Sequence, residues 1–173
     1  MEEGAFKSRS AVCCGFSVRK NDYPGLRFKA MIEKKALDEV WHTEDGDLGI
    51  TGIGILYKKS GVEKELTYEN SAPDGGEDGV YRQEVYANGQ YTDTSVYFGS
   101  EGKEEFCANP ADYVFFTAEL LFESGNTSCY TESFTFCSYI VLSDQSGGGC
   151  IYEYGEEYTR SIGYVANQMI RAE

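Results

Sequence analysis

The chain holds a single histidine, His42, so any Ser-His-Asp or Cys-His centre would have to be assembled around it. His42 follows Trp41 and precedes Thr43-Glu44-Asp45, a polar stretch that reads as a loop rather than an elbow presenting a nucleophile. The residues therefore name no catalytic set. Paired carboxylates need no histidine, because glycoside hydrolysis takes one acid of raised pKa and a second carboxylate roughly 5–10 Å away. With 29 Asp and Glu, some pair always meets that distance. A carbohydrate-active hydrolase is thus the alternative reading, and a non-catalytic domain the first.

Two acidic, glycine-containing turns, Asp45-Gly46-Asp47 and Asp74-Gly75-Gly76-Glu77-Asp78, offer hard oxygen ligands on pliant backbone. Calcium is the one cofactor they admit, with Asp45, Asp47, Asp74 and Asp78 as its ligands. Neither turn fits the twelve-residue EF-hand loop, and solvated acidic turns are the default reading of both. Trp41, Tyr81, Tyr86, Tyr91 and Tyr97 stand among polar neighbours. Exposed rings stack on sugar faces or anchor a protein partner, although tyrosine is also an ordinary strand residue. Trp41, Tyr81, Tyr86 and Tyr91 are the ligand-binding candidates.

Six cysteines at irregular spacing include no C-x-x-C pair, which argues against zinc. A bridge between the adjacent Cys13 and Cys14 would be strained. Cys129 and Cys137, read as lying in one strand about 26 Å apart, cannot join without a bend. Free thiols and disulfides remain equally open. Asn126-Thr127-Ser128 matches a glycosylation pattern, which a bacterial source would reduce to a turn.

Fifteen Lys and Arg against the acidic residues leave a formal net charge of −14, which repels nucleic acid and anionic lipid. No apolar run approaches the roughly 20 residues of a spanning helix. At 173 residues, 41% hydrophobic and 14% aromatic, the chain has the means to bury one core. Residues 1–14 read as an N-terminal tail and residues 15–173 as one module. The first residues lack a signal-peptide layout, which leaves the compartment undecided because Met1 can be an added start.

The elements that must position these groups are mostly strands. Gly25 to Ala30 alternates apolar and basic residues behind a Pro-Gly turn, and Glu33 to Val40 predicts a short connecting helix. Ile53, Ile55 and Tyr57 alternate with small residues, and a polar turn at Lys58-Lys59-Ser60-Gly61 predicts a hairpin with Val62 to Tyr68. The segment from Ser71 to Gly79 reads as an exposed, mobile loop. Val80 to Tyr86 and Tyr91 to Phe98 flank Asn88-Gly89 as a second hairpin. Tyr113 to Phe122 reads as a central strand entering a hairpin at Gly125-Asn126, and strand residues resume from Thr131 to Leu142. A glycine-rich break at Ser143 to Gly149 precedes a strand from Cys150 to Tyr158. Ile162, Val165, Ala166, Met169 and Ile170 then recur at helical spacing, with Thr159 or Ser161 as cap. Short strands and glycine-rich turns predict a mainly β fold, an antiparallel β-sandwich with a short connecting helix and a C-terminal amphipathic helix.

The order of these motifs resembles a module that recurs in large extracellular proteins of gut clostridia and their relatives. The resemblance rests on Gly25-Leu26-Arg27-Phe28-Lys29-Ala30, the short helix from Lys34, and Ile53-Gly54-Ile55-Leu56-Tyr57. It continues through Tyr113 to Phe122 and the ending Tyr154-Gly155, Arg160-Ser161-Ile162 and Val165-Ala166, together spanning most of residues 15 to 170. The six cysteines and the long segment from Ser124 to Gly149 depart from it. The resemblance implies an immunoglobulin-like or fibronectin-like fold and an extracellular or cell-surface location. It also implies a binding or spacer role, with a glycan, a host or bacterial surface protein, or neighbouring modules of the parent chain as partners. It brings no catalytic residues.

Overall fold

The computed structural model describes residues 12–19, 25–44, 46–87, 89–91, 96–98, 112–121, 131–144 and 150–172. They form two open, mainly antiparallel sheets facing each other across an apolar layer, a β-sandwich-like arrangement.

The smaller sheet has the order β1 (Val12–Arg19), β2 (Gly25–Glu33), β9 (Tyr113–Leu121) and β8 (Val96–Phe98). Its inner face follows from period-two alternation along β2, which turns Leu26, Phe28, Ala30 and Ile32 inward. In the β2–β9 register, Phe28 stands opposite Ala118 and Ala30 opposite Phe116. Large rings thereby meet small residues, and the layer fills without overpacking. On the other face the directly opposed Arg27 and Glu119 form an ion pair at 2.7 Å.

The larger sheet is built on two long central strands, β4 (Gly46–Lys59) and β10 (Ser133–Ser143), antiparallel over nearly their whole length. Each carries two shorter strands end to end along its outer edge. On β4 these are β3 (Val40–Thr43) and β6 (Val80–Ala87), and on β10 they are β12 (Tyr158–Ser161) and β11 (Cys150–Tyr154). The expected single strand from Cys150 to Tyr158 is interrupted at Gly155-Glu156-Glu157, where the Gly155 N–H still donates to the Ser138 carbonyl at 2.9 Å. The two-residue strands β5 (Ser71–Ala72) and β7 (Gln90–Tyr91) flank β6.

Helix α1 (Lys34–Asp38) connects the sheets, and α2 (Ile162–Ala172) packs Ile162 and Val165 into the core. Ser161 caps α2, its hydroxyl accepting the Tyr164 N–H at 3.1 Å.

Contacts across the layer are aromatic and polar. Phe28 of the smaller sheet stacks on Phe136 of the larger at 5.6 Å, and Phe16 packs edge-on against both. Beside them the Gln83 amide of β6 reaches across to β9. Its Nε2 donates to the Glu119 carbonyl at 2.7 Å, and its Oε1 accepts the Glu119 N–H at 3.3 Å.

Two further sequence expectations are corrected. Val62 to Tyr68 is not a strand: after the Lys59–Gly61 turn the chain folds back over the outer face of the larger sheet, where Leu66 is buried. Ser71 to Gly79 is the expected loop, largely exposed after the short strand β5, and its turns are closed by Gly75 N–H to Ala72 O at 3.0 Å and Gly79 N–H to Gly75 O at 2.8 Å. The Asn-Gly hairpin is real but short, pairing Tyr86 with Tyr91, and residues 96–98 belong to the other sheet, against β9. The hairpin expected at Gly125-Asn126 and most of the glycine-rich break lie outside the described residues.

Gly54 explains one tight feature. A Cβ there would run into the Gln83 carbonyl and the Tyr139 ring and hydroxyl, whereas at Gly52 it would meet the Val141 side chain at 3.0 Å. Gly54→Ala is expected to cost about 2–3 kcal/mol, more than Gly52→Ala, because backbone cannot give way as a side chain can. Urea unfolding of the two variants checks this, and equal midpoints for Gly54→Ala and wild type would refute the close approach.

Candidate functional site

In the cross-strand registers, the outer face of the larger sheet carries three rows of side chains. Cys137, Leu56 and Arg82 form one, Tyr154, Tyr139, Gly54 and Glu84 the next, and Tyr152, Val141, Gly52 and Ala87 the third. Gly54 of β4 leaves space that the Tyr139 ring of β10 occupies, and the tyrosines of β11 lie on the same face. Over them lies Tyr68, carried by the segment that follows β4.

Tyr68 stacks on Tyr152 at 4.5 Å and 16°, and packs edge-on to Tyr139 at 5.4 Å. Its backbone N–H donates to the Tyr154 hydroxyl at 2.9 Å. The Arg82 guanidinium sits 4.1 Å from the Tyr68 ring centre and donates to the Tyr68 carbonyl at 3.2 Å and the Ser71 hydroxyl at 3.0 Å. The result is a stack of Arg82, Tyr68 and Tyr152 in which Tyr68, Tyr152, Tyr154 and Arg82 all stay half-exposed. Beneath it Leu56, Leu66, Val80, Cys137 and Tyr139 form a second small core.

This environment opposes ionisation. Burial pushes the Cys137 thiol up to about 12, with the Glu157 carboxylate adding to the rise and Lys58 opposing it. Burial likewise raises Tyr139, with Glu84 and Tyr68 contributing, and its hydroxyl has no hydrogen-bond partner among the described residues. Tyr154 is raised by burial and by Cys137 and Glu69, partly offset by the hydrogen bond from Tyr68. A thiol held protonated at neutral pH is a poor nucleophile.

Two clefts flank the sheets. One, of about 300 Å³, lies beside Cys137 and is lined by Lys58, Glu65, Thr67, Tyr154 and Glu157. The other, of about 370 Å³, lies where β2 meets α1, among Glu33, Lys34, Lys35, Asp112 and Tyr113. Each brings two carboxylates together, but the side chains of Glu65, Glu157 and Asp112 are exposed and Glu33 is ion-paired to Lys35 at 3.2 Å.

The sequence candidates are dispersed. Trp41 and Tyr86, expected as exposed rings, are only 8% and 9% exposed and belong to the main core. Their strands turn them inward, so neither offers a ring face to a ligand. Tyr81 is half-buried, stacked on Tyr57 at 5.1 Å, with Gly75 against its ring. Tyr91 and Tyr97 pair through their backbones with Tyr86 and Phe115, and their side chains lie outside the described residues.

The stretch around His42, read as a loop, is the β3–β4 hairpin. His42 stands opposite Asp47 there, both exposed and 2.7 Å apart. Asp74 accepts the Gly76 N–H at 3.0 Å, and Asp78 lies 3.9 Å from Lys64. Asp45 lies outside the described residues, and no three His, Cys, Asp or Glu converge on a metal position among those described. Cys137 is a buried free thiol and Cys150 an exposed one.

Tyr68, Arg82, Tyr139, Tyr152 and Tyr154 were not singled out by sequence reasoning. The signal available was the i, i+2 spacing of Tyr152 and Tyr154, which places both on one strand face, matched by Gly52 and Gly54. Comparison of the chain with known protein families, curated proteins and solved structures finds no match.

The raised thiol and phenols carry a pH consequence. Unfolded, Cys137 titrates near 9.0 and the tyrosines near 10.0. Above those values the unfolded chain therefore binds fewer protons than the folded one, and stability falls as pH rises, by up to about 1.4 kcal/mol per pH unit for each of the buried Cys137 and Tyr139. Below about pH 8 these groups contribute no slope. Urea unfolding at pH 7.5, 9 and 10.5 should show this fall, and Tyr139→Phe, neutral or slightly stabilising at pH 7.5, should make it shallower. A wild-type stability flat to pH 10.5 would contradict the burial of these groups.

Proposed function

We propose that the domain is a non-catalytic binding module of an extracellular or cell-surface bacterial protein, an immunoglobulin-like sandwich whose contact surface is the tyrosine-bearing outer face of its larger sheet. The observation that carries the reading is the half-exposed stack of Arg82, Tyr68 and Tyr152 with Tyr154 beside it. The solvent face of an antiparallel sheet ordinarily carries polar side chains. Tyrosine and arginine are the residue types that concentrate binding energy at interfaces, where a rigid ring adds contact area at low entropic cost.

The resemblance to modules of clostridial surface proteins supports the location, and the net charge of −14 weighs against nucleic acid and anionic membrane as partners. The reading invokes no cofactor. A paired-carboxylate hydrolase remains the second reading. It needs an acid in an apolar pocket, and the buried polar side chains among the described residues are Thr117 and Ser138, neither of them an acid.

The test is binding of the folded domain to a panel of soluble polysaccharides and extended peptides, with Tyr68→Ala and Tyr152→Ala as probes. A ligand whose affinity falls at least tenfold in either variant, with a cooperative thermal melt showing that the variant still folds, is the expected result. A ligand indifferent to both changes moves the contact surface elsewhere, and a panel without any ligand favours a spacer. Release of reducing ends from any polysaccharide would restore the hydrolase.

A further inference from the structure

Resting on the reading of this face as a contact surface, we infer that the half-exposed Tyr152 end of the tyrosine stack, together with the exposed Glu69, receives an arginine or lysine side chain from an extended basic segment of another protein.

The stack is asymmetric. At its inner end the Arg82 guanidinium lies 4.1 Å over Tyr68, so a cation already occupies a ring face of this cluster. Tyr68 then covers one face of Tyr152 at 4.5 Å. Tyr152 sits on β11, the last strand of the larger sheet's path, and stays half-exposed. A second cation against the face of Tyr152 turned away from Tyr68 would repeat outward the contact that Arg82 makes inward.

Charge selects the ligand. Glu69 follows Tyr68, whose ring stacks on Tyr152 at 4.5 Å, and is exposed, so a carboxylate accompanies the stack. In line with that, burial raises Tyr152 and Tyr154 and Glu69 contributes to the rise of both. A carboxylate beside a ring face is the combination that holds a guanidinium or ammonium group, through an ion pair and a cation–π contact together. A neutral sugar would gain from the ring but not from the charge. The net −14 of the chain adds a field that draws basic segments in and turns acidic ones away.

The experiment is fluorescence anisotropy with a dye-labelled octapeptide of alternating glycine and arginine, at about 50 and about 150 mM salt. A glycine-serine octapeptide and soluble mucin and cell-wall polysaccharides serve as comparators. The arginine peptide should bind, more tightly at low salt. Tyr152→Ala and Glu69→Gln should each weaken it roughly tenfold, Tyr152→Phe should retain it, and Asp38→Asn, a charge-matched change on α1, should leave it unchanged. Thermal melts confirm that each variant folds, and Tyr152→Phe keeps the stack should Tyr152→Ala fail to.

Peptide binding that Asp38→Asn weakens as much as Glu69→Gln, or that ignores Tyr152, would mean a diffuse field and overturn the inference. Binding of a polysaccharide alone, lost in Tyr152→Ala, would overturn the basic partner while leaving the contact face standing. Binding of neither ligand class would overturn both.

Discussion

The pairing of β4 with β10 is the constraint from which the rest of the structure follows, because both of its faces are apolar. Inward it presents Ile53, Ile55 and Tyr57 against Phe136 and Ile140, and outward Leu56 against Cys137 and Tyr139. A sheet buried on one side needs one covering layer, and a sheet apolar on both needs two. The smaller sheet supplies the first, through Phe28 on Phe136. The segment from Gly61 to Gly79 supplies the second, laying Leu66 and Tyr68 over the outer face. The part that carries Leu66 and Tyr68 is thereby held to the sheet, while the acidic, glycine-rich turns beyond it stay largely exposed. At roughly 25 cal/mol per Å² of apolar surface, exposing this face would cost several kcal/mol.

The two sheets are held in register by a device with both apolar and polar parts. Rings fill the space between Phe28 and Phe136, yet rings alone tolerate sliding. The Gln83 amide fixes the offset, satisfying both backbone groups of Glu119 as a strand neighbour would. A half-buried amide with both ends paired specifies one arrangement more sharply than added apolar contact, since any slip leaves a donor and an acceptor without partners.

What the sequence disclosed was local. Alternation marked β2 and the centre of β4, and apolar residues at helical spacing marked the last helix, because each signal is carried within one segment. What it withheld was non-local. Trp41 and Tyr86 looked exposed because their sequence neighbours are polar, but a strand's inward face is set by what it pairs with. Val62 to Tyr68 has strand-like composition, and only the apolar outer face of β4 and β10 turns it into a cover. The chain's passage from Tyr91 in one sheet to Val96 in the other leaves no mark in composition. The tyrosine stack was hidden for the same reason: Tyr68, Arg82, Tyr139 and Tyr152 come from four separate stretches and meet only through registers.

The stack also shows why the covering layer and the contact surface coincide. To cover the outer face of β4 and β10 from a short excursion, the chain uses large rings rather than many small side chains. Rings of that size cannot be wholly submerged under one segment at a sheet edge. They stay half-exposed, and the Tyr152 and Tyr154 hydroxyls, whose ionisation burial opposes, remain able to donate and accept hydrogen bonds. A layer added to bury apolar surface thus leaves a rigid aromatic surface, fixed by Arg82 at one end and reaching the half-exposed Tyr152 at the other. Being already ordered by the fold, that surface loses little further entropy when a partner arrives.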